Sequence, residues 1–192
     1  MKTLKFTAIL MLYMIQPITY AQDRIIPIEA GVERTGHQNK SNSDEDRYSL
    51  ENLCRKLYGI GKFETSDRDK NGKASAQLGR FWVYGNTLFY KLKVNNQSNI
   101  NFDIDFIRFY VRDLKTAKRT VTQEWELYPS YSYGTHDKTV DAQSSGQYVF
   151  ALDKFPITKD KALFIEVYEK NGGRHLYLKA KQSDIENAKS FQ

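Results

Sequence analysis

From residue 74 onward, apolar and polar side chains alternate in short runs, the pattern of strands with one face buried and one face wet. Residues 74–84 lead through Gly85-Asn86, a two-residue hairpin signal, into residues 88–95. There Leu88, Tyr90, Leu92 and Val94 share one face opposite Lys91 and Lys93. Residues 102–113 change parity midway: Phe102, Ile104 and Phe106 are even, whereas Ile107, Phe109 and Val111 are odd. A bulge or a switch of buried face near Phe106–Ile107 is therefore predicted. Val121, Gln123, Trp125 and Leu127 form the next apolar-side set, which places Trp125 in the core. Short strands follow at Tyr148–Leu152, Leu163–Val167 and Leu176–Ala180, the last two joined by an Asn171-Gly172-Gly173 turn, and Ser183–Lys189 reads as a last helical turn or a frayed end. Ahead of the strands, Leu50, Leu53, Cys54 and Leu57 recur at i, i+3, i+4, i+7, one face of a helix. Ser43 is placed to cap it, Asp44, Glu45 and Asp46 face its positive end, and Gly59 and Gly61 stop it. The pattern predicts a mainly β protein: an antiparallel immunoglobulin-like β-sandwich of about seven strands preceded by a short amphipathic helix.

The N-terminus follows a different logic. Lys2 and Lys5 form a basic start, residues 6–14 an apolar run, and Thr19-Tyr20-Ala21 a small-residue cleavage pattern. The run is shorter than the ~20 residues that span a bilayer. Residues 1–21 are thus expected to be a cleavable signal peptide that exports the chain to the periplasm or the outer membrane. Residues 22–43 open with Ile25-Ile26-Pro27-Ile28 and turn polar through Gly36–Ser43, the composition of a flexible linker. The expected organisation is signal 1–21, linker 22–43, helix 44–61 and sandwich domain 62–192.

Charge and cysteine content narrow the chemistry. The net charge of +6 is moderate and diffuse, compatible with an anionic envelope and too scattered to indicate direct nucleic-acid contact. The one cysteine, Cys54, lies on the apolar helix face and reads as a small hydrophobe. Asp67-Arg68-Asp69-Lys70-Asn71-Gly72 reproduces the first half of a calcium loop, with Asp67, Asp69 and Asn71 as oxygen donors, but Leu78 stands where the bidentate acid belongs. A polar turn between helix and sheet is the competing reading. Asp103 and Asp105 share a strand face, suggesting an acid–base or metal pair or surface ion pairs with Arg108 and Arg112. His37, His136 and His175 are scattered without metal spacing, and no nucleophile elbow or phosphate loop occurs, so no catalytic residue and no cofactor are expected. The candidate partner-binding residues are Tyr128, Tyr131 and Tyr133, read as an aromatic loop at one end of the sandwich. Such a loop suits a protein partner or a sugar.

Four phrases within this half of the chain are distinctive together: F-D-I-D-F-I-R-F at 102–109, A-K-R-T at 117–120, F-A-L-D-K-F at 150–155 and V-Y-E-K-N-G-G-R-H-L at 167–176. With them the chain resembles the C-terminal domain of the TraN-type conjugal transfer proteins of Bacteroides conjugative transposons. That family carries another β domain ahead of the conserved one, so the chain looks like a short form. The resemblance implies a non-enzymatic envelope component of a type IV secretion-like transfer apparatus. Its partners would be other channel proteins, with oligomeric assembly among the expectations and the transferred DNA handled by other subunits. From another class, the alternative is a secreted carbohydrate-binding or adhesin-type module that uses the tyrosines.

Overall fold

A computed structural model describes residues 40–114, 124–134 and 138–191, which form two helices and twelve strands. Helix α1 is Lys40–Gly59. The strands are β1 Thr65–Asn71, β2 Ala74–Gly79, β3 Trp82–Tyr84, β4 Thr87–Asn96, β5 Phe102–Asp113, β6 Glu124–Leu127, β7 Tyr131–Gly134, β8 Thr139–Val140, β9 Ser144–Asp153, β10 Lys161–Glu169, β11 Leu176–Lys181 and, after the short helix α2 Gln182–Glu186, β12 Lys189–Ser190. Seven strands run six residues or longer; six of them answer to expected strands, the seventh, β1, lies where a polar turn was expected, and the strand expected through Leu127 is among the five short ones as β6. The expected signal peptide, His37, His136, Val121 and Gln123 lie outside the described residues, as does the linker up to residue 39; its last residues already belong to α1.

Strand β4 organises the first sheet. One of its edges pairs with β9 along its whole length, from Thr87↔Asp153 to Asn96↔Ser144. Its other edge is shared by β2 and β3 in succession, with Gly79–Phe81 as the break. The sequence reads 74–84 as one strand; the chain steps out there, and a Cβ on Gly79 would lie 3.2 Å from both the Cβ and the carbonyl oxygen of Lys91. Gly85 then turns β3 into β4 at φ +55°, as a II′ hairpin with glycine first requires. Strand β1 lies outside β2, β12 lies parallel to β3, and β7 closes the far side against β9. The second sheet runs β11–β10–β5, with β6 and β8 on the remaining edge of β5.

Between the sheets lies the main core, where Tyr90, Leu92, Tyr148 and Phe150 of the first sheet face Phe109, Val111, Leu163 and Ile165 of the second. Tyr90, Phe109 and Phe150 form a ring cluster with centroids 5.0–6.1 Å apart that ties the layers together. Each fully buried large side chain contributes roughly 1.5–3 kcal/mol. The parity change in β5 is a bulge: Tyr168 pairs with Phe106 and Glu169 with Ile104, which leaves Asp105 unmatched, one residue before the predicted place.

A third layer forms on the outer face of the first sheet. Cys54 and Leu57 of α1 are fully buried against Phe89, Val149 and Ala151, with Leu50, Leu53, Trp82 and Phe191 around them. The helix face read from the sequence is the one that docks, and Gly59 ends it. Just beyond, Lys91 is buried and its Nζ donates to the carbonyl of Ile60 at 2.6 Å, so one lysine tethers the turn that leads out of the helix. Burial holds that amine below its ordinary pKa.

Candidate functional site

Strands β6 and β7 are the edges of different sheets, and Tyr128-Pro129-Ser130 carries the chain from one to the other. Ser130 pins this corner, since its N–H and hydroxyl both donate to the carbonyl of Ala151. The expected tyrosine loop is therefore only in part a loop. Tyr131 and Tyr133 lie on β7 opposite Ala151 and Val149, on the face that α1 covers. Tyr58 of the helix meets Tyr133 edge-on at 5.4 Å, and the Arg55 guanidinium lies 5.6 Å from the same ring. Burial raises the pKa of Tyr131. Tyr128 remains at the corner, 47% exposed.

Trp125 corrects a second expectation. It pairs with Val111, as Leu127 does with Phe109, so it points to the core side as the alternation indicated. Yet it is 51% exposed, because β6 is an edge strand and pairs on one side only, with β5. The corner thus presents two half-exposed rings, Trp125 and Tyr128, three residues apart in the chain.

The three calcium-candidate residues do something else. They lie on β1, an edge strand rather than a turn, and alternate onto its inner side. Asp67 accepts from the backbone N–H of Lys179 at 2.7 Å and Asp69 from that of Tyr177 at 2.8 Å. Asn71 Nδ2 donates to the carbonyls of Gly173 and His175 at 3.1 and 3.2 Å. Side chains at strand spacing here substitute for a neighbouring strand along the free edge of β11, closing the sandwich on that side. Among the described residues, no three or more His, Cys, Asp or Glu side chains cluster so as to hold a metal ion. Asp103 accepts from the Thr139 hydroxyl at 2.7 Å. Arg108 and Arg112 pair not with Asp103 or Asp105 but with Glu124, and Arg108 also with Glu126 and Glu166.

Those arginines belong to a network that the sequence reading missed. On the outer face of the second sheet the Tyr110 and Tyr168 hydroxyls both donate to the buried Glu166. The Arg108 and Arg112 guanidiniums lie 4.4 Å from the Tyr110 and Phe164 rings, and those rings stack at 5.5 Å. Burial and the bond to Glu166 raise the Tyr110 pKa and push that of Tyr168 up to about 12. The outer positions 108, 110, 112 and 164, 166, 168 alternate in sequence, but which of them face one another depends on the β5–β10 register. The network braces that strand pair and covers its own rings.

Fold and surface together define a β-sandwich domain braced by a helix, with a half-exposed aromatic corner and a polar-aromatic outer sheet. The chain belongs to a family described as a domain of unknown function, DUF4138, whose model matches residues 55–190. No curated protein and no solved structure matches it. Among the described residues no helix is long and apolar enough to cross a membrane.

Proposed function

We propose that the protein is a non-enzymatic, exported component of a conjugative-transposon transfer apparatus that mediates protein–protein assembly in the cell envelope. The observation that carries this reading is one of extent. All four phrases of the TraN-type resemblance fall inside the matched region 55–190, and three of them build β5, the end of β9 and the β10–β11 hairpin. The resemblance therefore concerns the sandwich itself. The half-exposed Trp125 and Tyr128 at the corner between β6 and β7 supply rigid aromatic contact area of the kind that anchors protein partners.

Mating tests the reading: deletion of the gene is expected to abolish transfer of the element, and restoration to recover it. Unchanged transfer in a host without a second copy overturns it. Tyr128→Ser is expected to weaken co-purification with other transfer proteins while leaving the melting temperature near that of the parent. If the purified protein instead binds a glycan panel and loses that binding with Tyr128→Ser, the corner belongs to a carbohydrate-binding module. Export is read from intact mass, which is expected to show cleavage after Ala21.

A further inference from the structure

Helix α1 covers only part of the first sheet's outer face. Beyond it, among the described residues, the strand registers place two rows of side chains across β1, β2, β4 and β9, and the helix reaches only the end of one of them, where Gln147 Nε2 donates to the Tyr58 carbonyl at 3.1 Å. One is Arg68–Gln77–Lys93–Gln147 and the other Lys70–Ser75–Asn95–Ser145. Arg68 and Lys70 are exposed and Lys93 is half-buried. No carboxylate occupies either row, and among the described residues none of the three cations forms an ion pair. At the neighbouring Glu64, by contrast, one carboxylate draws in Lys62, Arg80 and Lys189. With strands ~4.8 Å apart, the rows form a flat patch about 14 Å across.

We propose that this patch docks an acidic polypeptide surface of a different protein. Charge complementarity sets the sign of the partner. Its class follows from what lies between the cations. The neutral side chains of Gln77, Asn95, Ser75 and Ser145 offer hydrogen bonds to carboxylates and peptide groups. The rows carry no aromatic ring to stack a nucleobase and no apolar side chain to enter a bilayer. A second copy of the chain is disfavoured by the net charge of +6. The inference rests on the assembly reading only for the idea that a protein partner exists.

The test uses the full mature chain and a triple variant, Arg68→Gln with Lys70→Gln and Lys93→Gln. A control of equal net charge carries Lys154→Gln, Lys159→Gln and Lys170→Gln. The probe is a fluorescein-labelled oligoglutamate peptide followed by anisotropy at several salt concentrations. Salt-sensitive binding is expected, weakened roughly ten-fold in the triple variant and unchanged in the control, since each exposed ion pair adds a small, screened increment. Equal loss in both variants, or none in either, overturns the proposal. Tighter patch-dependent binding to a single-stranded oligodeoxynucleotide or to phosphatidylglycerol vesicles overturns it in favour of that partner. Peptide binding at the patch in a protein whose deletion leaves mating unchanged would sink the conjugation reading and leave this one standing.

Discussion

Tyr90 carries its hydroxyl into the middle of the core, where, among the described residues, the oxygen meets no hydrogen-bond partner. A buried unsatisfied polar group costs ~1–3 kcal/mol, so Tyr90→Phe is expected to raise stability by about 1 kcal/mol in denaturant titrations. Burial also holds this hydroxyl neutral well above pH 10.0 and pushes the Cys54 thiol from 9.0 up to about 12. Both are acids that the unfolded chain releases first, so above their free values the native state binds more protons and stability falls as pH rises. Melting temperature is expected to hold up to about pH 9, then decline and steepen near pH 10, less so in Tyr90→Phe. Native Cys54 should be unreactive toward a thiol reagent until the helix lifts. Burial of Cys54 was legible because helical periodicity marks one face. The exposure of Trp125 was not, since alternation assigns a side of a strand but not whether a neighbouring strand covers it. Trp125→Ala should accordingly cost about 1–2 kcal/mol rather than the ~3–5 of a fully buried ring.

The helix and the β1 edge show what elements inherit from sequence. Leu57 has no exposure and packs on the outer sheet face, so Leu57→Ala is expected to cost ~2–5 kcal/mol, measured by chemical denaturation. Tyr131→Ser and Tyr133→Ser should destabilise as well, because those rings support α1, and this separates them from Tyr128 in any binding assay. At β1, Asp67→Ala with Asp69→Ala should speed amide exchange at Tyr177 and Lys179, whose N–H groups lose their acceptors. Melts with calcium and with chelator are expected to coincide. The D-x-D-x-N spacing was visible in the sequence as chemistry. Its use as an edge clasp required knowing that β11 of the other sheet lies beside β1, a neighbour distant in sequence. The bulge in β5 and the Gly85-Asn86 and Asn171–Gly173 turns were readable because each is a local event, and Asn171 does adopt the left-handed φ of +54°.

At the scale of the molecule, local pattern supplied the class of fold and the helix ahead of it, but not which strand joins which sheet. The dominant pairings are non-local: β4 takes β9 as its partner and β5 takes β10. Among the described residues only β1–β2, β3–β4, β10–β11 and the β5–β6 pair join neighbours along the chain. That has a consequence in time. Residues 87–96 form the spine of the first sheet, and until 144–153 have been synthesised and found one of β4's edges has no partner. Closing so long a loop before its contacts repay it slows folding, to the ~millisecond-to-second range of sandwich topologies. The helix must wait longer still, because Val149 and Ala151 of its dock belong to β9. A chain that emerges N-terminus first therefore presents its helix early and seats it late, and for that interval the apolar stripe of Leu50, Leu53 and Leu57 is open to whatever escort meets it.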